Sequence, residues 1–154
     1  NNSGYLDASP RGGEPGFIQI VSDHEILIPD FKGNNRIDSL VNIVETGQIG
    51  ILFLVPGIEH TLRINGEASI TTSQEALNHF SSLDKLPISC ISVKVREAFV
   101  HCAKAFMRSK LWDHETFTSQ DNFPTIGVMI KDQLGLAGDA ETHAEMLERY
   151  KKNM

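Results

Sequence analysis

The 154 residues predict a mainly β protein, a small β-barrel with helical additions. Two features predict this. At least five segments carry the alternation or the continuous apolar run of strands. The helical stretches between them are short and irregularly spaced, which disfavours a doubly wound α/β sheet. Hydrophobic residues make up 40% of the chain, enough for a buried core at this length.

Phe17 to Val21 (FIQIV) and Glu25 to Pro29 (EILIP) are short apolar strands joined by SDH, so they read as a hairpin. DFKGNN breaks the pattern. From Arg36 the period turns helical, with Ile37, Leu40, Val41 and Val44 on one face. Asn34 or Asn35 suits the cap of that helix, because its side chain accepts a bond from a free backbone N–H.

Ile49 to Val55 (IGILFLV) is continuously apolar, the pattern of a central strand covered on both faces. Thr61 to Ile70 alternates. Leu62, Ile64, Ala68 and Ile70 face inward, against Thr61, Arg63, Asn65, Glu67 and Ser69. Gly66 interrupts the inward row, which predicts a bulge or a close backbone approach.

Thr72-x-x-Glu75 has the form of a capping box before a short helix that buries Ala76, Leu77, Phe80 and Leu83. Ile91, Val93 and Val95 alternate with Ser92, Lys94 and Arg96 in a further strand running toward Phe99. Residues 113–138 are looser, with Pro124, Gly127, Gly135 and Gly138. Asp139 caps a last helix whose early Glu141 and Glu145 and late Lys151 and Lys152 match the helix dipole.

Length fits one domain across 1–154, with a barrel over about 5–112 and a C-terminal loop and helix over 113–154. The chain opens on Asn1, in a stretch (NNSGYLDASP) that reads like the middle of a domain, so an upstream segment and one barrel strand are expected to be missing. No apolar run approaches a membrane span. Cys90 and Cys102 form no metal-ligand pattern and read as reduced thiols of a cytoplasmic protein. The net charge of −6 argues against general nucleic-acid binding.

Against that acidity, HCAKAFMRSKLW is locally basic. If it is helical, His101, Lys104, Arg108 and Trp112 share one stripe. Lys104, Arg108 and Lys110 meet no acid between Phe99 and Trp112, and Trp112 adds a flat ring. That combination suits a phosphate-bearing aromatic cofactor, although a solvated amphipathic helix has the same pattern. GNNR (Gly33 to Arg36) opens a helix, whose free N–H groups and dipole suit a phosphate, with Arg36 as a bidentate donor. An ordinary loop with a surface Arg also fits. SPRGG, Ser9 to Gly13 with Arg11, reads from spacing alone as a turn. The six histidines are scattered without an H-E-x-x-H, so a zinc site is not expected. Neither a Walker motif nor G-x-G-x-x-G nor G-x-S-x-G occurs.

The ordered series SPRGG, PGFIQI, LIPDFKGNNRIDSLVNI, GILFLVPG, TLRINGEASI and HCAKAFMRSKLW resembles the pyridoxamine 5′-phosphate oxidase-like, FMN-binding split-barrel family, over roughly Leu6 to Trp112. Within that family it is most similar to a bacterial, oxidase-like subgroup. The resemblance implies a six-stranded antiparallel split barrel, a homodimer, and FMN in clefts at the dimer interface. It implies that Arg36, with Asn34, Asn35 and Ser39, holds the phosphate, and that Thr61 faces the flavin. It further implies that Lys104, Arg108, Ser109 and Trp112 close the cleft; Ser9 and Arg11, on the SPRGG loop that could approach a ligand, are also candidate cofactor-binding residues.

An FMN-dependent oxidoreductase acting on a small molecule follows from the resemblance. Arg63 or Lys104 would stabilise the anionic reduced flavin, and His101 is the best titratable candidate. The substrate-holding residues of pyridoxamine phosphate oxidase proper are not recognised, so no substrate is named. The alternatives are a non-catalytic flavin-binding or storage module, a haem-binding or F420-binding split barrel, and a dimer with an empty cleft.

Overall fold

The computed structural model describes residues 4–31, 36–119 and 122–151. It divides into two compact units, Asn1–Trp112 and Asp113–Met154.

The first unit is built on β1 (Gln19–Ser22), β2 (Glu25–Asp30), α1 (Asp38–Thr46), β3 (Gln48–Phe53), β4 (Thr61–Thr71), α2 (Gln74–Asn78), β5 (Ser89–His101) and α3 (Lys104–Ser109). The strands form one antiparallel sheet in the order β1-β2-β5-β4-β3. The expected six-stranded barrel is therefore seen as five strands among the described residues, in a sheet that is not closed.

Alternation places the core. Ile26, Ile28, Ile64, Ala68, Ile91 and Val93 meet on one face and receive Ile43 of α1. Leu27 and Cys90, on the other face of β2 and β5, pack with Phe80, and Ala76, Leu77 and Leu83 surround them. Phe80 and Val93 are wholly buried, each worth roughly 1.5–3 kcal/mol of transfer free energy.

Several expectations are corrected. The strand covered on both faces is β2, whereas the apolar β3 is an edge strand with alternate residues exposed. Its partner on one side is β4, and no second strand among the described residues covers its other edge. α1 begins at Asp38 with Ile37 at the cap position and no side-chain cap bond. Asn34 and Asn35 lie outside the described residues. Gly47 ends α1 in the left-handed conformation (φ 65°), and its N–H bonds to the Ile43 carbonyl. Ser73, one residue after Thr72, caps α2 by accepting the Ala76 N–H.

The Gly66 expectation is met. The β4–β5 register shifts between Asn65 and Gly66, because Asn65 faces Glu97 and Gly66 faces Val95. Arg96 is thus the extra residue of a bulge. The bulge reverses which residues of β5 face the core side: Ile91, Val93 and Val95 before it, Ala98 and Val100 after it. Phe99 and His101 consequently share a face with Arg63 and Thr61.

The second unit holds a 3-10 turn (His114–Thr116), α4 (Ile126–Leu134) and α5 (His143–Lys151). α4 falls in the stretch expected to be loose, and Thr125 caps it through the Val128 N–H. The capping residue of α5 is Thr142, not Asp139. Its hydroxyl accepts from the Glu145 N–H, and Glu145 accepts from the Thr142 N–H, a reciprocal box. Glu141 instead makes two bonds to Arg149. No helix among the described residues is long and apolar enough to cross a membrane.

Candidate functional site

The residues singled out by sequence sort into two places in the first unit. One is the end of the sheet where β4 begins and β5 ends; the other is the start of α1 with the segment that precedes β1.

At the sheet end, β3, β4 and β5 lie side by side. Leu52 faces Arg63, which faces Phe99; Thr61 faces His101. The Arg63 guanidinium sits 5.0 Å over the Phe99 ring, a cation–π contact. Thr61 is only 6% exposed, although it begins its strand, whereas His101 is exposed. Neither Thr61 nor His101 makes a side-chain hydrogen bond among the described residues.

The expected helical stripe is not formed. His101 ends β5, α3 spans just six residues from Lys104, and Trp112 lies beyond it in a turn. Lys110 ends α3 with φ 51°, and the Leu111 N–H returns to the Phe106 carbonyl. That turn brings the Trp112 ring against Phe106, 6.1 Å between centroids and 15° from parallel. The indole N–H donates to the Ile58 carbonyl at 2.9 Å, tying the β3–β4 loop to the end of α3. Ser109 donates to the Phe106 carbonyl and serves the helix end.

Lys104 and Arg108 remain on one face of α3, four residues apart. Like charges at that spacing disfavour a helix. Neither forms an ion pair among the described residues. The chemistry available at this end is two free cations, a third cation on an aromatic ring, a threonine hydroxyl and an imidazole. Such a set suits a planar anionic ligand.

At the start of α1, Arg36 is exposed and its Nε donates to Asp38 at 2.6 Å. Ser39 donates to Asp7 and lies 2.8 Å from the Ser9 hydroxyl. Asn42, one turn further, donates to the other Asp7 oxygen. Ser39 holds the Asp7 carboxyl below the usual carboxylate range, and Asn42 adds to this. Arg11 donates to Asp30 at 2.8 Å and to the Pro29 carbonyl, and Ser89 also donates to Asp30. Asp30 faces Ser89, the first residue of β5, while Thr61 faces its last, so Arg11 is a tether at the opposite end of that strand.

Sequence reasoning missed Phe99, Asp7 and Asn42. The three-residue spacing of Ser39 and Asn42 was the available signal for the last. Phe99 was hidden by the bulge, and Asp7 by a contact 32 residues distant in sequence. Among the described residues no group of three metal-ligating side chains occurs.

The fold and site define an open antiparallel sheet whose C-terminal strand end gathers cationic and aromatic groups. No protein-family model matches the chain, and no curated protein matches it. Two solved structures are similar to it in shape. They are HupZ from Group A Streptococcus and a single-residue variant of that protein, both at 18% identity and a TM-score of 0.46. Each likeness covers 55% of this chain, and 68% and 73% of the HupZ and variant chains respectively.

Proposed function

We propose that the chain is a flavoprotein of the pyridoxamine 5′-phosphate oxidase-like split-barrel class. It binds FMN between two copies of itself and acts as an FMN-dependent oxidoreductase on a small molecule. One observation carries the reading: Thr61, Arg63, Phe99 and His101 converge on one sheet face, and Lys104 and Arg108, which form no ion pair among the described residues, follow directly.

The homodimer is supported by apolar exposure at the same end. Leu52, Leu54, Val55 and Ile58 are each at least half exposed, and Val100 is 73% exposed. A folded chain in water seldom leaves such a group uncovered.

FMN, when bound, supplies hydride transfer at its N5. The side chains of this chain supply the rest. Arg36, now paired with Asp38, and Ser39 would hold the phosphate. Thr61 donates a hydroxyl hydrogen bond that orients the ring. Arg63 and Lys104 add positive charge, which favours an anionic flavin. His101 would be the candidate to hold or release a proton beside the cofactor.

A haem-binding split barrel is the second reading, and His101 favours it. Its exposed imidazole has no hydrogen-bond partner among the described residues and shares a sheet face with Phe99. Such an imidazole would hold a haem iron, which would supply redox chemistry there.

The test is a visible absorption spectrum of the purified protein, with mass analysis of whatever heat releases. A flavin spectrum and released FMN support the first reading. A Soret band lost in His101→Ala moves the assignment to haem. A colourless protein that takes up neither added FMN nor haem refutes both. Bound FMN that no nicotinamide donor reduces leaves a flavin store in place of an enzyme.

A further inference from the structure

The segment before β1 reaches α1 through polar contacts. Leu6 is 96% exposed and Tyr5 is 74% exposed, so little apolar packing holds it there. The contacts include Asp7 with Ser39 and Asn42, and Ser9 with Ser39. Ser39 and Asn42 stand on one face of α1, one turn apart, and each engages a different oxygen of the same carboxylate. Nearby, Arg36 is matched with Asp38. Arg36, Ser39 and Asn42 thus each face a carboxylate of their own chain.

The two carboxylates differ in one respect. Asp38 belongs to the first turn of α1, which fixes its backbone. Asp7 stands on a segment without secondary structure.

We infer that Asp7 holds the place of phosphate oxygens on α1, and that the segment carrying it is a strap which a phosphate-bearing ligand displaces. The inference rests on the FMN reading of Arg36 and Ser39. Physically it is a competition between anions. A phosphate monoester carries about −1.5 to −2 charges and more acceptor oxygens than a carboxylate. The two anions repel, so Ser39 and Asn42 serve one at a time.

The experiment titrates FMN and riboflavin, which lacks the phosphate, into the wild-type protein, Asp7→Ala and Asp7→Asn. Trp112, the single tryptophan, reports binding by its fluorescence. FMN should bind both variants roughly three- to tenfold more tightly, the scale of a few exposed charge-assisted contacts. Riboflavin should bind all three proteins alike. Equal or weaker FMN binding by the variants overturns the strap while leaving the FMN reading intact. Equal tightening of riboflavin overturns it too, because the competition is then not for phosphate. FMN binding by none of the three proteins overturns both the strap and the reading beneath it.

Discussion

Placing a methyl group at Gly66 probes the junction on which the candidate site depends. A Cβ there would lie 2.4 Å from the Lys94 carbonyl oxygen, 3.2 Å from its carbon and 3.0 Å from Val93 Cγ1. Ordinary contacts begin near 3.4 Å, so the oxygen is too close by about 1 Å. It is backbone of the central strand and cannot swing aside as a side chain would. Relief requires β4 and β5 to part beside the bulge. Overpacking costs about 1–3 kcal/mol, and weakening one or two ladder bonds adds about 1 kcal/mol. Gly66→Ala should therefore destabilise the protein by roughly 2–4 kcal/mol. For a unit of this size that lowers Tm by roughly 10–20 °C. Thermal melts followed by circular dichroism provide the assay. Gly47→Ala is the control: its φ of 65° is strained for alanine, but no atom lies within 4 Å of the added carbon. It should cost about 1 kcal/mol. A Gly66→Ala protein melting within about 2 °C of wild type, or no lower than Gly47→Ala, would falsify the close-approach argument.

Arg36→Ala should weaken FMN roughly tenfold, because the phosphate loses a charge-assisted donor. Arg108→Ala should act in the same direction, and unchanged flavin retention in either variant returns that residue to the solvated surface. Arg149 holds the Glu141 carboxyl below its ordinary value of 4.5, and Thr142 does the same for Glu145. Depressed carboxyls stabilise the fold above the unfolded value and lose that contribution as pH falls through the folded value. Helicity should therefore hold at neutral pH and decline below about pH 4.5, and Glu141→Gln should flatten this acid limb in a pH titration of the melt. Burial raises the Cys90 thiol, which has no exposed surface, while Cys102 is exposed. Iodoacetamide should label Cys102 in the folded protein and Cys90 after unfolding; rapid labelling of Cys90 in the native state contradicts its burial.

What the sequence made legible follows from how local its physical cause is. β4 was readable because one face of an antiparallel strand rests on the core, which writes a period of two into the chain. Gly66 was readable because a missing Cβ inside such a row has few other uses. β3 was misplaced for a physical reason. An uninterrupted apolar run reads as a strand covered on both faces, but it does not tell a central strand from an edge strand, and β3 lies at the edge with alternate residues exposed. α4 was hidden by Gly127, which suggests a break. Its Cβ would lie 2.3 Å from the Glu141 carbonyl oxygen, so the glycine serves close packing within the second unit. At the site, Thr61, Arg63 and His101 could be named from sequence, but their common face could not. That face depends on Arg96 being an extra residue in β5, which is a property of the strand pair. Asp7 was unreadable because its donors come from an element formed elsewhere in the chain.

The strand order has a consequence for how the molecule comes into being. β1 with β2, and β3 with β4, are neighbours in sequence and can pair as soon as they leave the ribosome. The strand that joins the two hairpins is made last. Ser89 and Asp30, which meet across the sheet, are separated by 59 residues, and Ser92 and Glu25 by 67. Until β5 emerges, the hairpins lack the ladder that would bring Ile26 and Ile28 to Ala68. Closing so long a loop before any reward is the slow step of such a topology. The nascent chain therefore carries the apolar β3 from Phe53 onward without the strand that completes its sheet until β5 is made, and a ribosome that stalls before Ser89 releases a fragment whose core lacks Cys90, Ile91 and Val93.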